Sequence, residues 1–174
     1  MKAIEFVIEN TVVKFPFPKV TPEQLKPFGE AYWAGLVKPE VSAQCFSMIN
    51  KTLEPMIKQQ GCMWGKNTSR GNIHIVADPS SPNYAGNAED SSLPILECGY
   101  DSKIKADGSI EHNIGIEAGY QQHTQGLVTS VLKQLYNAME KLHGAGSRSM
   151  EINDDRGHGV WQHIAQKLGA TIEH

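Results

Sequence analysis

The stretch from Ile110 to Leu142 constrains the chain most, because it reads as a strand, a short polar loop and a long amphipathic helix in unbroken succession. In the strand, Ile110, His112, Ile114, Ile116 and Ala118 fall on one face, and Glu111, Asn113, Gly115, Glu117 and Gly119 on the other. After Tyr120 comes the polar loop Gln121-Gln122-His123-Thr124-Gln125-Gly126. Beyond it Leu127, Val128, Val131, Leu132, Leu135, Met139 and Leu142 keep helical spacing. A strand feeding a helix through such a loop gathers free backbone N–H groups and the positive helix end at one point. An anion belongs there, a phosphate or pyrophosphate above all.

The flanking sequence supplies the partners. Residues 3–15 are rich in strand formers, and Pro16 and Pro18 must end that strand because they lack ladder donors. Thr21-Pro22-Glu23 is a helix start, with a threonine cap, a proline in the first turn and an acid next, which predicts a helix to about Leu36. A second helix is expected from Val41 to Gln60, kinked or shortened by Pro55 and closed by Gly61. The run from Cys62 to Gly71 reads as a polar, basic loop, and its Gly65-Lys66 pair lacks the spacing of a phosphate-cradling loop.

Strands are expected at 72–77 and 93–100, separated by a long polar loop of the kind that forms lids and binding loops. Asp107-Gly108 offers a turn that pairs 93–100 with 110–119. Gly144-Ala145-Gly146 stops the long helix. A strand at 149–152, a helix at 160–168 closed by Gly169, and a last strand at 170–173 complete the order β-α-α-β-β-β-α-β-α-β.

Length and charge narrow the classes. A chain of 174 residues suits one domain that buries a substantial core without staples. A net charge of −3 gives no general attraction to nucleic acid. Three scattered cysteines, Cys45, Cys62 and Cys98, suggest neither a disulfide framework nor a zinc site. No apolar stretch follows Lys2 as in a signal peptide, and no run approaches the ~20 residues of a membrane helix, so a cytoplasmic protein without a membrane partner is expected.

Two segments resemble the GNAT superfamily of acyl-CoA-dependent N-acyltransferases. Ile116-Glu117-Ala118 with His123-Thr124-Gln125-Gly126-Leu127-Val128 is similar to that family's splayed central strand and its pyrophosphate loop. His163-Ile164-Ala165-Gln166-Lys167-Leu168-Gly169-Ala170 is similar to its helix-to-strand ending. Gly126 keeps the loop's residue type, while His123 stands for an Arg or Gln and Val128 for a Gly or Ala. Ala165 replaces the tyrosine that often protonates the departing thiolate, and Ala170 a phenylalanine.

The resemblance implies an α/β fold of the α+β kind, a mixed and mostly antiparallel sheet flanked by helices. It implies acetyl-CoA or another short acyl-CoA as co-substrate and an amine acceptor, small-molecule or protein. Ile116 and Ala118 would pair with the pantetheine arm. His123, Gln125, Gly126, Leu127, Val128 and Thr129 would hold the pyrophosphate. An amine must lose a proton before it attacks a thioester, so a base is needed. By position the resemblance puts His112 first, with Glu117 and Glu111 as alternatives. Tyr120, His158 and His163 are candidates for protonating the thiolate.

Each residue also has a plainer reading. His112 fits a hydrogen-bonded core histidine, Glu117 a solvated charge, and Gln125-Gly126 an ordinary helix start. Trp161, Ile164 and Leu168 have the spacing of core residues. His158 and His163 are one residue too far apart for a helical metal pair, and no metal is expected. Asp154-Asp155-Arg156-Gly157-His158-Gly159 reads as a helix-capping turn. Two other classes stay open: a cysteine hydrolase using Cys98 with His112, and a GNAT-type fold that binds or inhibits without catalysing. The acceptor pocket would draw on Tyr32, Trp33, Glu40, Tyr84, Glu89 and Asp90. The acceptor's identity is not written in the sequence, and the oligomeric state, a homodimer included, is equally open.

Overall fold

A computed structural model of the chain describes residues 32–34, 39–68, 71–83, 94–105, 109–119, 126–154 and 158–173. In chain order the elements are β1 (Tyr32–Ala34), α1 (Pro39–Gln59), β2 (Cys62–Trp64), β3 (Asn72–Ala77) and β4 (Leu96–Ile104). Then come β5 (Ile110–Gly119), α2 (Leu127–His143), β6 (Ser147–Ile152), α3 (His158–Lys167) and β7 (Thr171–Glu173). The fold is α+β, built on one mixed sheet.

The path across the sheet is β2-β3-β4-β5-β6-β7, with β1 also paired to β4. β3 meets Leu96 to Gly99 of β4 and β1 meets Ser102 to Ile104, so two short strands share one edge of a long one. From β2 to β5 every pairing is antiparallel; from β5 to β7 every pairing is parallel. β5 is the strand at which the direction changes. Its crossover through α2 is what a parallel neighbour requires, since a tight hairpin cannot supply one.

Period-2 alternation sets the faces. Ile73, Ile75 and Ala77 of β3, and His112, Ile114 and Ile116 of β5, point inward. On α2 the apolar stripe from Leu127 to Leu142 is buried as its spacing predicts, and it shares one core with Ile49, Leu53 and Ile57 of α1, Trp161 and Ile164 of α3, and Leu168 just past α3. Arg148 of β6 ties α2 to the turn that follows α3. Its Nε donates to Glu140 Oε1 at 2.8 Å and its Nη2 to Asn137 Oδ1 on α2, while its Nη1 donates to the Leu168 carbonyl just past α3. Each fully buried aliphatic side chain in this core contributes about 1.5–3 kcal/mol.

Several elements differ from the sequence expectation. The helix expected to about Leu36 is contradicted at its end, where Tyr32–Ala34 is a strand. Aromatic residues favour strands, and the backbone there finds partners from Ser102 to Ile104. Cys62–Trp64 is a strand within the expected loop, pairing with Ile75 to Ala77. β4 runs on to Ile104, and its hairpin closes with the Lys105 N–H on the Ser109 carbonyl at 2.8 Å. Pro55 sits inside α1 without ending it. Pro55 and Lys51 are both exposed, so water can reach the carbonyl left without its helical donor. The expected strand at 3–15, the start of the helix at 22, Tyr120, His123, Gln125, and the loop residues Tyr84, Glu89 and Asp90 lie outside the described residues.

Candidate functional site

β5 and β6 run together and then part. Their parallel register extends from Glu111 opposite Ser147 to Ile116 opposite Ile152. One further bond follows, from the Asn153 N–H to the Ile116 carbonyl at 2.8 Å. Past it the chain leaves β6 toward α3, while β5 continues to Gly119. The next strand-edge donor of β5, the Gly119 N–H, therefore has no strand on that side. Asp154 takes it instead, accepting on Oδ2 at 3.1 Å, and the same oxygen accepts the indole N–H of Trp161 at 3.3 Å. Asp154 and Trp161 are both buried. The indole lies so close that a Cβ on Gly119 would stand 2.5 Å from a ring carbon.

A bulge sits at the same place. Cys98 pairs with Ile116 and Glu97 with Ala118, which leaves Glu117 without a partner on β4. An extra residue in one strand shifts its alternation by one and re-aims the side chains beyond it. That is why Gly119, and not Ala118, turns its N–H toward β6. Glu117 is exposed and its Oε1 accepts from Asn153 Nδ2 at 3.2 Å. The expectation that Ile116 and Ala118 both offer free backbone groups to a pantetheine arm is not met here. The Ile116 carbonyl already serves Asn153, and Ala118 faces Glu97 in register.

α2 starts beyond this gap. Gly126 has φ of 86°, a left-handed conformation that suits glycine, and carries no side-chain cap bond. The first helical bond runs from the Ser130 N–H to the Gly126 carbonyl at 3.0 Å. No described residue accepts from the amides of Leu127, Val128 or Thr129, and the first turn holds no acidic side chain. A Cβ on Gly126 would meet no atom of the described residues within 4 Å. Val128 is buried in the core, which turns its bulk inward.

The histidine named first as a base is placed elsewhere. His112 is fully buried, with Nδ1 2.7 Å from Ser102 Oγ and Nε2 2.9 Å from the Gly144 carbonyl. A carbonyl can only accept, so Nε2 carries the proton and Nδ1 accepts from the serine. The ring stacks on His143 at 6.4 Å, and burial holds the pKa of His112 below the usual histidine value. Five residues of strand, roughly 16 Å, separate it from Glu117. Both nitrogens are committed, so His112 is a core histidine. Glu111 is buried as well, its oxygens held by Lys103 at 2.9 Å and Lys105 at 2.5 Å.

Other candidates sort as follows. Cys98 is fully buried, its thiol pushed up by desolvation and then by Glu117 and Glu97. It pairs with Ile116, while His112 faces Ser102, so the cysteine–histidine pair of a hydrolase does not form. Ala165, in the position of the family's tyrosine, is buried in the core. Trp161, Ile164 and Leu168 are core residues, as their spacing predicts. His163 is exposed, and among the described residues no group of three or more His, Cys, Asp or Glu converges on a metal position. Among the described residues, no helix is long and apolar enough to cross a membrane. Asp154 is the residue whose part sequence reasoning missed. Its segment reads as a helix-capping turn, and nothing in the spacing announces a bond to a strand that lies 35 positions away.

No family model, curated protein or solved structure matches the chain. The functional reading therefore rests on the residues and their geometry.

Proposed function

We propose that the chain is a GNAT-type, acyl-CoA-dependent N-acyltransferase, moving an acetyl or other short acyl group to an amine. The observation that carries the reading is a coincidence at one end of β5. The parallel pair parts after Ile116, Glu117 bulges from the strand, and α2 opens nearby in chain at an uncapped Gly126. Bulges recur beside active sites because they re-aim one side chain. An uncapped helix start free of acidic residues suits a diphosphate.

In this reading the amides from Gly126 to Thr129 hold the pyrophosphate, with His123 and Gln125 alongside as the resemblance implies. Ile116 and Ala118 line the approach of the pantetheine arm through their position rather than through free ladder groups. The amine's lone pair attacks the thioester carbonyl, the carbon–sulfur bond breaks, and the thiol is the leaving group. Glu117 takes the amine's proton, directly or through a water, because its carboxylate is exposed beside the gap while His112 and Glu111 are committed to core partners. Tyr120 remains the candidate for returning a proton to the thiolate.

A second reading is a fold of this type that binds without catalysing. The buried Ala165 in place of an acid and the committed His112 favour it. Thermal unfolding with and without acetyl-CoA tests the shared part: a ligand that binds the native state raises Tm by mass action. Mass spectrometry on a panel of amines then separates the two, since only an enzyme yields an acylated product. No shift at millimolar acetyl-CoA would remove both readings.

A further inference from the structure

The carboxylate of Asp154 joins three elements at one atom. It stands just past β6, accepts the last strand-edge N–H of β5 at Gly119, and accepts the indole N–H of Trp161 on α3. Beyond the Asn153 N–H bond, two side chains just past β6 reach β5: Asn153 Nδ2 donates to the exposed Glu117, and Asp154 accepts from Gly119. Of the two, Asp154 is the buried one and also binds α3, so it fixes the separation past Ile116 from the core side. Trp161 fixes the other side, because its ring fills the space beside Gly119 and leaves no room for a Cβ. Gly119 is the last residue of β5, so whatever holds Gly119 holds the end of the strand from which the chain runs on to α2.

A buried carboxylate has an energetic reason to stay there only while its lone pairs are used. Both donors are strongly directional, one a backbone amide and the other a rigid ring. This is the arrangement of a support that fixes geometry.

We infer that Asp154 is a positioning residue for acyl-CoA, setting, through Gly119 and Trp161, the gap between β5 and β6 and the end of β5 from which the chain runs on to α2. The inference rests on the acyltransferase reading above. Asp154→Ala leaves the buried indole N–H and the part-buried Gly119 N–H without this acceptor and lets the gap relax, while Asp154→Asn keeps an oxygen in the same place without the charge.

The test measures acetyl-CoA affinity by calorimetry on the full chain, well below each variant's Tm. Tyr136→Phe is the control for lost stability alone: it removes a buried hydrogen bond to the Ser149 carbonyl without touching the gap. The expected result is a loss of about tenfold or more in affinity for Asp154→Ala, with Asp154→Asn and Tyr136→Phe near wild type. Unchanged affinity in Asp154→Ala overturns the inference and leaves the acyltransferase reading intact, and so does an equal loss in Tyr136→Phe. No binding of acetyl-CoA by the wild-type chain overturns both.

Discussion

The indole of Trp161 occupies the space in which Gly119 would carry a side chain, and the two residues are also joined through the carboxylate of Asp154. A methyl group on Gly119 would stand 2.5 Å from the ring, a separation that forces one partner to move. Gly119→Ala should cost about 1–3 kcal/mol, the usual penalty for overpacking a tight core. Urea denaturation reads the change directly. An unchanged midpoint would mean that the ring has room the geometry denies it.

Gly126 should separate binding from stability. Gly126→Asp places a carboxylate where the proposed diphosphate would lie, while its Cβ meets no neighbour within 4 Å among the described residues. Acetyl-CoA affinity should fall by about tenfold or more, because like charges now face each other at the helix start. The left-handed backbone adds strain of only about 1 kcal/mol for a residue such as aspartate. Calorimetry beside a melting curve distinguishes the two effects.

Glu117→Gln removes the exposed carboxylate and keeps its shape. With Glu117 as general base, kcat should drop on the order of a hundredfold while KM for acetyl-CoA stays near wild type. His112→Gln should instead lower stability, since His112 bonds Ser102 and Gly144 and lies away from the gap. A kcat that survives Glu117→Gln and collapses in a folded His112→Gln would reverse this assignment.

Acid should weaken the fold through the stacked pair of histidines. Burial holds His112 below the usual value, and burial with the neighbouring His112 charge pushes His143 down to about 3. Below about pH 6.5 the unfolded chain binds protons that the folded chain refuses, so stability falls as pH drops through that value and toward 3. Above it this contribution is complete. Denaturation between pH 7.5 and 4.5, an experimental window of about three pH units, should show a shallower slope for His143→Leu than for wild type. Identical slopes would mean that these rings titrate normally.

Periodicity made much of the architecture legible. The α2 stripe, the alternation of β3 and β5, the glycine stop at 144 and the core role of Trp161 all follow from local spacing, which depends only on near neighbours in the chain. What escaped depends on distant partners. Tyr32–Ala34 is a strand because β4 has ladder groups to spare there, and Cys62–Trp64 because β3 does. The same holds at the candidate site. Gly126 as a helix start is written in the sequence, but the Glu117 bulge appears only when β5 is laid against β4. His112 falls on the apolar face of its strand in either reading; only its bonds to Ser102 and Gly144 decide what it does.

The reversal of direction at β5 has a consequence for synthesis of the chain. Everything on its β4 side can close through neighbouring segments, whereas its other edge waits for β6, which is made only after all of α2. A nascent or truncated chain that stops short of Ser147 leaves the isoleucine-bearing edge of β5 bare, a template for pairing with another copy. Fragments cut in α2 should therefore self-associate through this edge, and chains that reach past Ile152 should not pair there.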